Sequence, residues 1–264
     1  MANDQEPQEH GQESKQAQRG IYLLPNLLTT AALFAGFYAI VAAMKGLFET
    51  SAIAIFIAMI ADGLDGRVAR LTNTQSAFGA QYDSLSDLAA FGIAPSLVLY
   101  SWTLHYLGKI GWLAAFLYTA ATALRLARFN TQVTDKLYFQ GLPSTLAAGV
   151  IASIVWMGSN YEVDGFIISA PVAVLTVIIA GLMVSTIRYS SFKTIDFKGR
   201  VPFITVVLTV FIITGIALEP AEMLFGIFFV YLISGPLSTL WYLRKMRKQR
   251  SQSALRQVGR KPTE

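Results

Sequence analysis

Residues 22–43 read YLLPNLLTTAALFAGFYAIVAA, a stretch without a single charged side chain. At 1.5 Å per residue, about 20 such residues cross the roughly 30 Å hydrocarbon layer of a bilayer as helix. Predominantly apolar stretches near that length recur at 50–70, 86–107, 110–129, 142–159, 163–187, 201–218 and 221–243, the last pair divided by Glu219-Pro220. Barrel-type alternation is absent from the sequence, which leaves helices as the way to satisfy every backbone group in lipid. The predicted fold is all-α: a polytopic transmembrane bundle of about eight helices.

The bulk numbers agree. Of 264 residues, 54% are hydrophobic and 14% charged, where a soluble domain carries about 25% charged residues. That deficit excludes an ordinary soluble enzyme, a disordered chain and a nucleic-acid-binding module. Without cysteine there is no disulfide framework, thiolate metal site or Cys nucleophile. His10 and His105 alone cannot make a histidine triad or metal cluster.

Threading the spans from an inside N-terminus puts all of the 21 Lys and Arg except Lys45 and Lys109 on one side. Both termini are therefore predicted to be cytoplasmic, and the net charge of +5 needs no nucleic acid to explain it. Residues 1–20 lack the pattern of a signal peptide and are expected to form a disordered cytoplasmic leader. Residues 21–243 make the transmembrane catalytic domain and 244–264 a basic cytoplasmic tail. That tail is either a stop-transfer flank or a segment that holds anionic headgroups.

One stretch is out of place in such a bundle: IADGLDGRVARLTNTQSAFGAQYDSLSDLAAFG, residues 60–92. Asp62 and Asp65 are three apart and Asp83 and Asp87 four apart, so each pair shares a helix face. Four of the chain's 16 acids meet at the inner ends of two helices. Carboxylates crowded together out of water repel one another and lose hydration, and a divalent cation removes both costs. Oxygen ligands without His or Cys suit a hard ion such as Mg²⁺, Mn²⁺ or Ca²⁺, one or two of them. Two ions would clamp a pyrophosphate for an in-line displacement. Gly63, Gly66, Gly79 and Ala69 leave room for a base or phosphate to approach the backbone. The alternatives are acids that cap helices or pair with Arg67 and Arg70, and an intramembrane cation site of a transporter.

The pattern Asp62-x-x-Asp65-Gly66-x-x-Ala69-Arg70, eight residues, then Gly79-x-x-x-Asp83-x-x-x-Asp87 resembles the full signature of the CDP-alcohol phosphotransferases. The resemblance implies transfer of a phosphatidyl group from CDP-diacylglycerol to an alcohol, with release of CMP. It implies that Asp62, Asp65, Asp83 and Asp87 hold divalent metal, Mg²⁺ or Mn²⁺, and that Asp87 is the general base. Gly66, Ala69, Arg70 and Gly79 would line the cytidine site. Asn26 would contact the nucleotide, or else cap a helix after Pro25. A homodimer in the inner membrane, with its active site facing the cytoplasm, is also implied.

Two more segments bear on the acceptor. Ala123–Asn130 reads ALRLARFN and Phe139–Ser144 reads FQGLPS. Arg125 and Arg128, three apart, are candidates to bind a carboxylate or phosphate bidentately, or are membrane-edge arginines that snorkel. Both segments resemble the serine-using branch of the family, which makes L-serine the expected acceptor. Thr145 departs from the Pro expected after Gly-Leu-Pro-Ser. Glycerol 3-phosphate and inositol phosphate are the other acceptors that would want cations here. Ser84 and Ser86 read as polar filler on the helix surface.

Overall fold

The structure, a computed structural model, describes residues 9–131, 139–189 and 203–258. The eight expected apolar runs are eight helical rods. They are α1 (Glu9–Met44), α2 (Phe48–Leu71), a broken rod of α3 (Ala77–Asp87) and α4 (Ala94–Trp102), and α5 (Lys109–Thr131). The second half holds α6 (Ser144–Asn160), α7 (Gly165–Val184), α8 (Phe203–Leu218) and α9 (Pro220–Val258). Five stretches are long and apolar enough to cross a membrane: Leu24–Met44, Ala77–Trp102, Lys109–Thr131, Gly165–Val184 and Pro220–Thr239. α8 is apolar but shorter, and α2 carries the charged motif.

Several boundaries differ from the sequence expectation, each for a local reason. Residues 9–20, expected in a disordered leader, are the first turns of α1. Gln, Glu, Lys and Ala dominate that stretch, and all four cost a helix little. Residues 1–8 lie outside the described residues, as do 132–138, 190–202 and 259–264. The third rod begins at Ala77 rather than 86, because Ser76 caps it: its Oγ accepts from the Gly79 N–H at 3.0 Å. The same rod ends at Trp102 and is followed by a 3₁₀ turn, Leu104–Leu107. Residues 244–258, the bulk of the expected tail, continue α9.

The core is built from small residues. On α1 the buried positions Ala32, Ala35, Gly36, Ala39, Ala42 and Ala43 follow a three–four spacing, and α2 packs along this face with Ala52, Ala54, Ile55 and Ala58. Small side chains let backbones approach closely where lipid offers no hydrophobic drive to associate. Phe34 and Phe37, on the outer face of α1, are exposed. At Gly36 the approach is extreme: a Cβ there would sit 2.6 Å from the Ala90 Cα. α5 packs on α7, and α6 on α2 and α9, whereas none of α8 is buried.

Two short strands, β1 (Phe139–Gln140) and β2 (Arg188–Tyr189), pair antiparallel. The Tyr189 hydroxyl donates to the Leu232 carbonyl at 3.3 Å and its ring stacks on Tyr231, which ties the pair to α9. Gly141, at φ +79°, makes the turn from β1 towards α6, where a Cβ would collide with the Met183 carbonyl.

Between α3 and α4 the rod carries a π-helical turn, Leu88–Ile93, immediately after Asp87. The rod stays continuous there, so α3 projects the acids from an element anchored deep in the bundle.

Candidate active site

α2 and the broken rod bring the acids together. Carboxylate oxygens of Asp62, Asp83 and Asp87 all lie within 4.8 Å of one another. Asp65 is directed differently: it is buried, and its Oδ2 accepts a 2.7 Å hydrogen bond from the Thr29 hydroxyl of α1. The same hydroxyl lies 3.1 Å from the Pro25 carbonyl. It has one hydrogen to give, and an ionised carboxylate is the stronger acceptor. The four acids thus form a close trio with a fourth member held by α1.

A cavity of about 560 Å³ opens beside them. Asn26, Thr29 and Pro25 line it from α1, Asp65, Gly66, Ala69 and Arg70 from α2, and Gly79, Ala80 and Asp83 from α3. Asn26, Gly66, Ala69, Arg70 and Gly79, which the resemblance assigns to the nucleotide, are on this wall, whereas Gly63 does not line it. Asn26 lies well inside α1, which removes its alternative role as a helix cap. Gly66 has no packing reason to be glycine, since a Cβ there would meet only Arg70 Nη2, at 4.0 Å; the space it leaves faces the cavity. Gly79 differs, with Ser76 Oγ at 3.1 Å and Asn26 Oδ1 at 3.4 Å from such a Cβ. Arg70 folds back on its own helix, its Nε donating to the Gly66 carbonyl at 2.7 Å.

The two arginines of α5 are not equivalent. Arg125 Nη1 donates to Ser144 Oγ, at the start of α6, over 3.1 Å. Its Nε is buried and meets no hydrogen-bond partner among the described residues, and the guanidinium lies within electrostatic range of Asp87. Arg128 Nη1 points instead to the Val184 carbonyl at the end of α7, at 3.4 Å. Neither lines the nucleotide-sized cavity.

Some contributors carried no sequence signal. Phe129 closes the cavity from α5, and Thr74, Gln75 and Ser76 close it from the α2–α3 connection. Ser84 and Ser86 are tethers rather than filler. Asn130 Nδ2 donates to Ser84 Oγ at 2.9 Å, and the buried Ser86 donates to the Thr29 carbonyl at 3.0 Å. These bonds fix α3 to α5 and α1, and hence the acids to the cavity wall.

The donor set fits a hard divalent cation: three carboxylates converge, no soft ligand intrudes, and a fourth acid is adjacent. Such a site beside a small-residue cavity can hold a diphosphate and its base, with Arg125 on the Asp87 side to receive an anionic second substrate.

Comparison with known proteins agrees with this chemistry. A family profile described as CDP-alcohol phosphatidyltransferase matches residues 22–211. A CDP-diacylglycerol–serine O-phosphatidyltransferase of Helicobacter pylori is 36% identical over 236 residues, covering 89% of this chain and 98% of that protein. The protein of the same name from Mycobacterium leprae is 28% identical over 229 residues, 83% of this chain and 75% of its own. An archaetidylserine synthase of Methanothermobacter thermautotrophicus is 33% identical over 168 residues, 63% of this chain and 69% of its own.

Proposed function

We propose a function from one premise: this chain belongs to the CDP-alcohol phosphatidyltransferase family. It is a membrane transferase of phospholipid synthesis, a CDP-diacylglycerol–serine O-phosphatidyltransferase. It moves the phosphatidyl group of CDP-diacylglycerol to L-serine and releases CMP. The observation that carries the choice of acceptor is the 36% identity, over 89% of this chain, to a CDP-diacylglycerol–serine O-phosphatidyltransferase. The buried Nε of Arg125, unpartnered among the described residues, is a donor suited to an anionic acceptor. An amino-acid carboxylate supplies the acceptor oxygens that this guanidinium lacks.

Asn26, Gly66, Ala69, Arg70 and Gly79 hold the cytidine diphosphate half of the donor against α1, α2 and α3. Asp62, Asp83 and Asp87, with Asp65 adjacent, would hold Mg²⁺ or Mn²⁺, which when bound would neutralise charge on the diphosphate. Arg125 orients serine by its carboxylate, so that its hydroxyl faces Asp87. Asp87 takes the hydroxyl proton as the serine oxygen attacks the phosphatidyl phosphorus. The bond from that phosphorus to the bridging oxygen breaks, and CMP leaves with the electron pair. Proton, nucleophile and leaving group balance in one displacement; the chain has no Cys, and among the described residues no Ser nucleophile is paired with a base for a covalent intermediate.

The active enzyme is a homodimer in the inner membrane with this site open to the cytoplasm, where serine and CDP-activated lipid meet. The basic residues gathered on one side of the spans support that orientation. Purified protein supplied with CDP-diacylglycerol, Mg²⁺ or Mn²⁺ and L-serine is expected to release CMP. Release with glycerol 3-phosphate and none with serine overturns the acceptor.

A further inference from the structure

The rod Ala77–Trp102 changes its hydrogen-bond register right after Asp87. Within the π turn the Ala94 N–H donates to the Ala89 carbonyl, five residues back instead of four. Pro95 follows, and it has no N–H to offer Phe91, the carbonyl four residues before it. That carbonyl belongs to a residue only 1% exposed, where an unmet polar group is costly. The fully buried Tyr118 of α5 supplies a donor from outside the rod: its hydroxyl reaches the Phe91 carbonyl at 3.0 Å. Its neighbour Thr119 lies 3.3 Å from the Gly92 carbonyl and 2.8 Å from Ser96 Oγ. Two adjacent residues of α5 therefore hold the irregular turn from outside the rod.

The turn matters because of what precedes it. One residue of register is about 100° of helical rotation, so an unbroken α-helix would swing α3 relative to α4 by that amount. Asp83 and Asp87 would then leave the α1–α2 side while α4 kept its place in the core. We propose that Tyr118 is a positioning residue for the acidic site: by capping Phe91 it maintains the π turn, and the turn aims Asp83 and Asp87 at their partners. The proposal rests on the metal-binding reading of those acids.

Mn²⁺ binding to the purified full chain, followed by electron paramagnetic resonance without substrates, tests it. Tyr118→Phe is expected to weaken Mn²⁺ about tenfold and to lower kcat similarly. Adding Pro95→Ala restores an N–H opposite Phe91 and is expected to recover most of the Mn²⁺ affinity. If Tyr118→Phe fails to fold, Thr119→Val is expected to give a smaller loss of the same kind. Wild-type chain that binds no Mn²⁺ overturns the metal reading itself. Wild-type binding that Tyr118→Phe and Thr119→Val leave unchanged, or a loss that Pro95→Ala does not recover, overturns the positioning role alone.

Discussion

The acidic and the basic poles of the site are built in opposite ways. Asp62, Asp65, Asp83 and Asp87 come from two neighbouring segments, and three of them converge within 4.8 Å. Together they form a pole whose crowded negative charge a divalent cation would neutralise. The basic pole is one guanidinium, Arg125, positioned by Ser144 from a helix further along the chain and left with an unfilled donor. The acids define a place for metal through number and spacing, whereas Arg125 defines a place for a ligand through what its surroundings fail to provide. The first pole fits the chemistry shared by the whole family; the second suits a particular acceptor.

That contrast can be broken from either side, starting with the largest effect. Chelation of divalent cations is expected to reduce CMP release to background, with recovery on adding Mg²⁺ or Mn²⁺; activity that survives EDTA removes the acidic pole from the chemistry. Asp87→Asn is expected to lower kcat about 10²- to 10⁴-fold, the usual range for a lost general base, while retaining CDP-lipid binding. Rates near wild type in that variant assign the proton to another group. Arg125→Ala is expected to raise KM for serine about 10- to 100-fold, as for a lost hydrogen bond to charge, and Arg128→Ala by under about threefold. Equal effects would erase the distinction between the two arginines. Gly66→Ala is expected to raise KM for CDP-diacylglycerol about fivefold with thermal stability unchanged, because the added methyl intrudes on the cavity and not on the fold. A drop in stability with normal KM makes Gly66 structural.

The acidic pole was legible in the sequence because its information is local. Three- and four-residue spacings on helices bring carboxylates onto one face whatever the rest of the chain does. Apolar run length is equally local, and the eight runs correspond to the eight rods. The basic pole was legible only as a pair: nothing in Ala123–Asn130 says that Arg125 meets Ser144 while Arg128 turns to Val184, since those partners lie 19 and 56 residues away. Asp65 shows the same limit, because its hydrogen bond to Thr29 spans 36 residues. The π turn stood between the two cases. Pro95 was visible, but that the break would lie before it, stabilised by Tyr118, depends on how α5 docks. The pairing of β1 with β2 joins residues about 50 positions apart through two residues each, too short a strand pattern to recognise.

The contact between Gly36 and Ala90 has a consequence at a distance. α1 and the broken rod touch backbone to backbone there, while ten residues earlier, roughly 15 Å along α1, Asn26 lines the cavity beside Gly79. The two rods pack along their length, tied also by Ser86 to Thr29, and the glycine marks their closest approach. Between α1, α2 and α3 the same packing leaves the cavity beside the acids. A methyl group at position 36 would collide with Ala90 and push the two rods apart, so the width of the cavity depends on the smallest side chain in the membrane core.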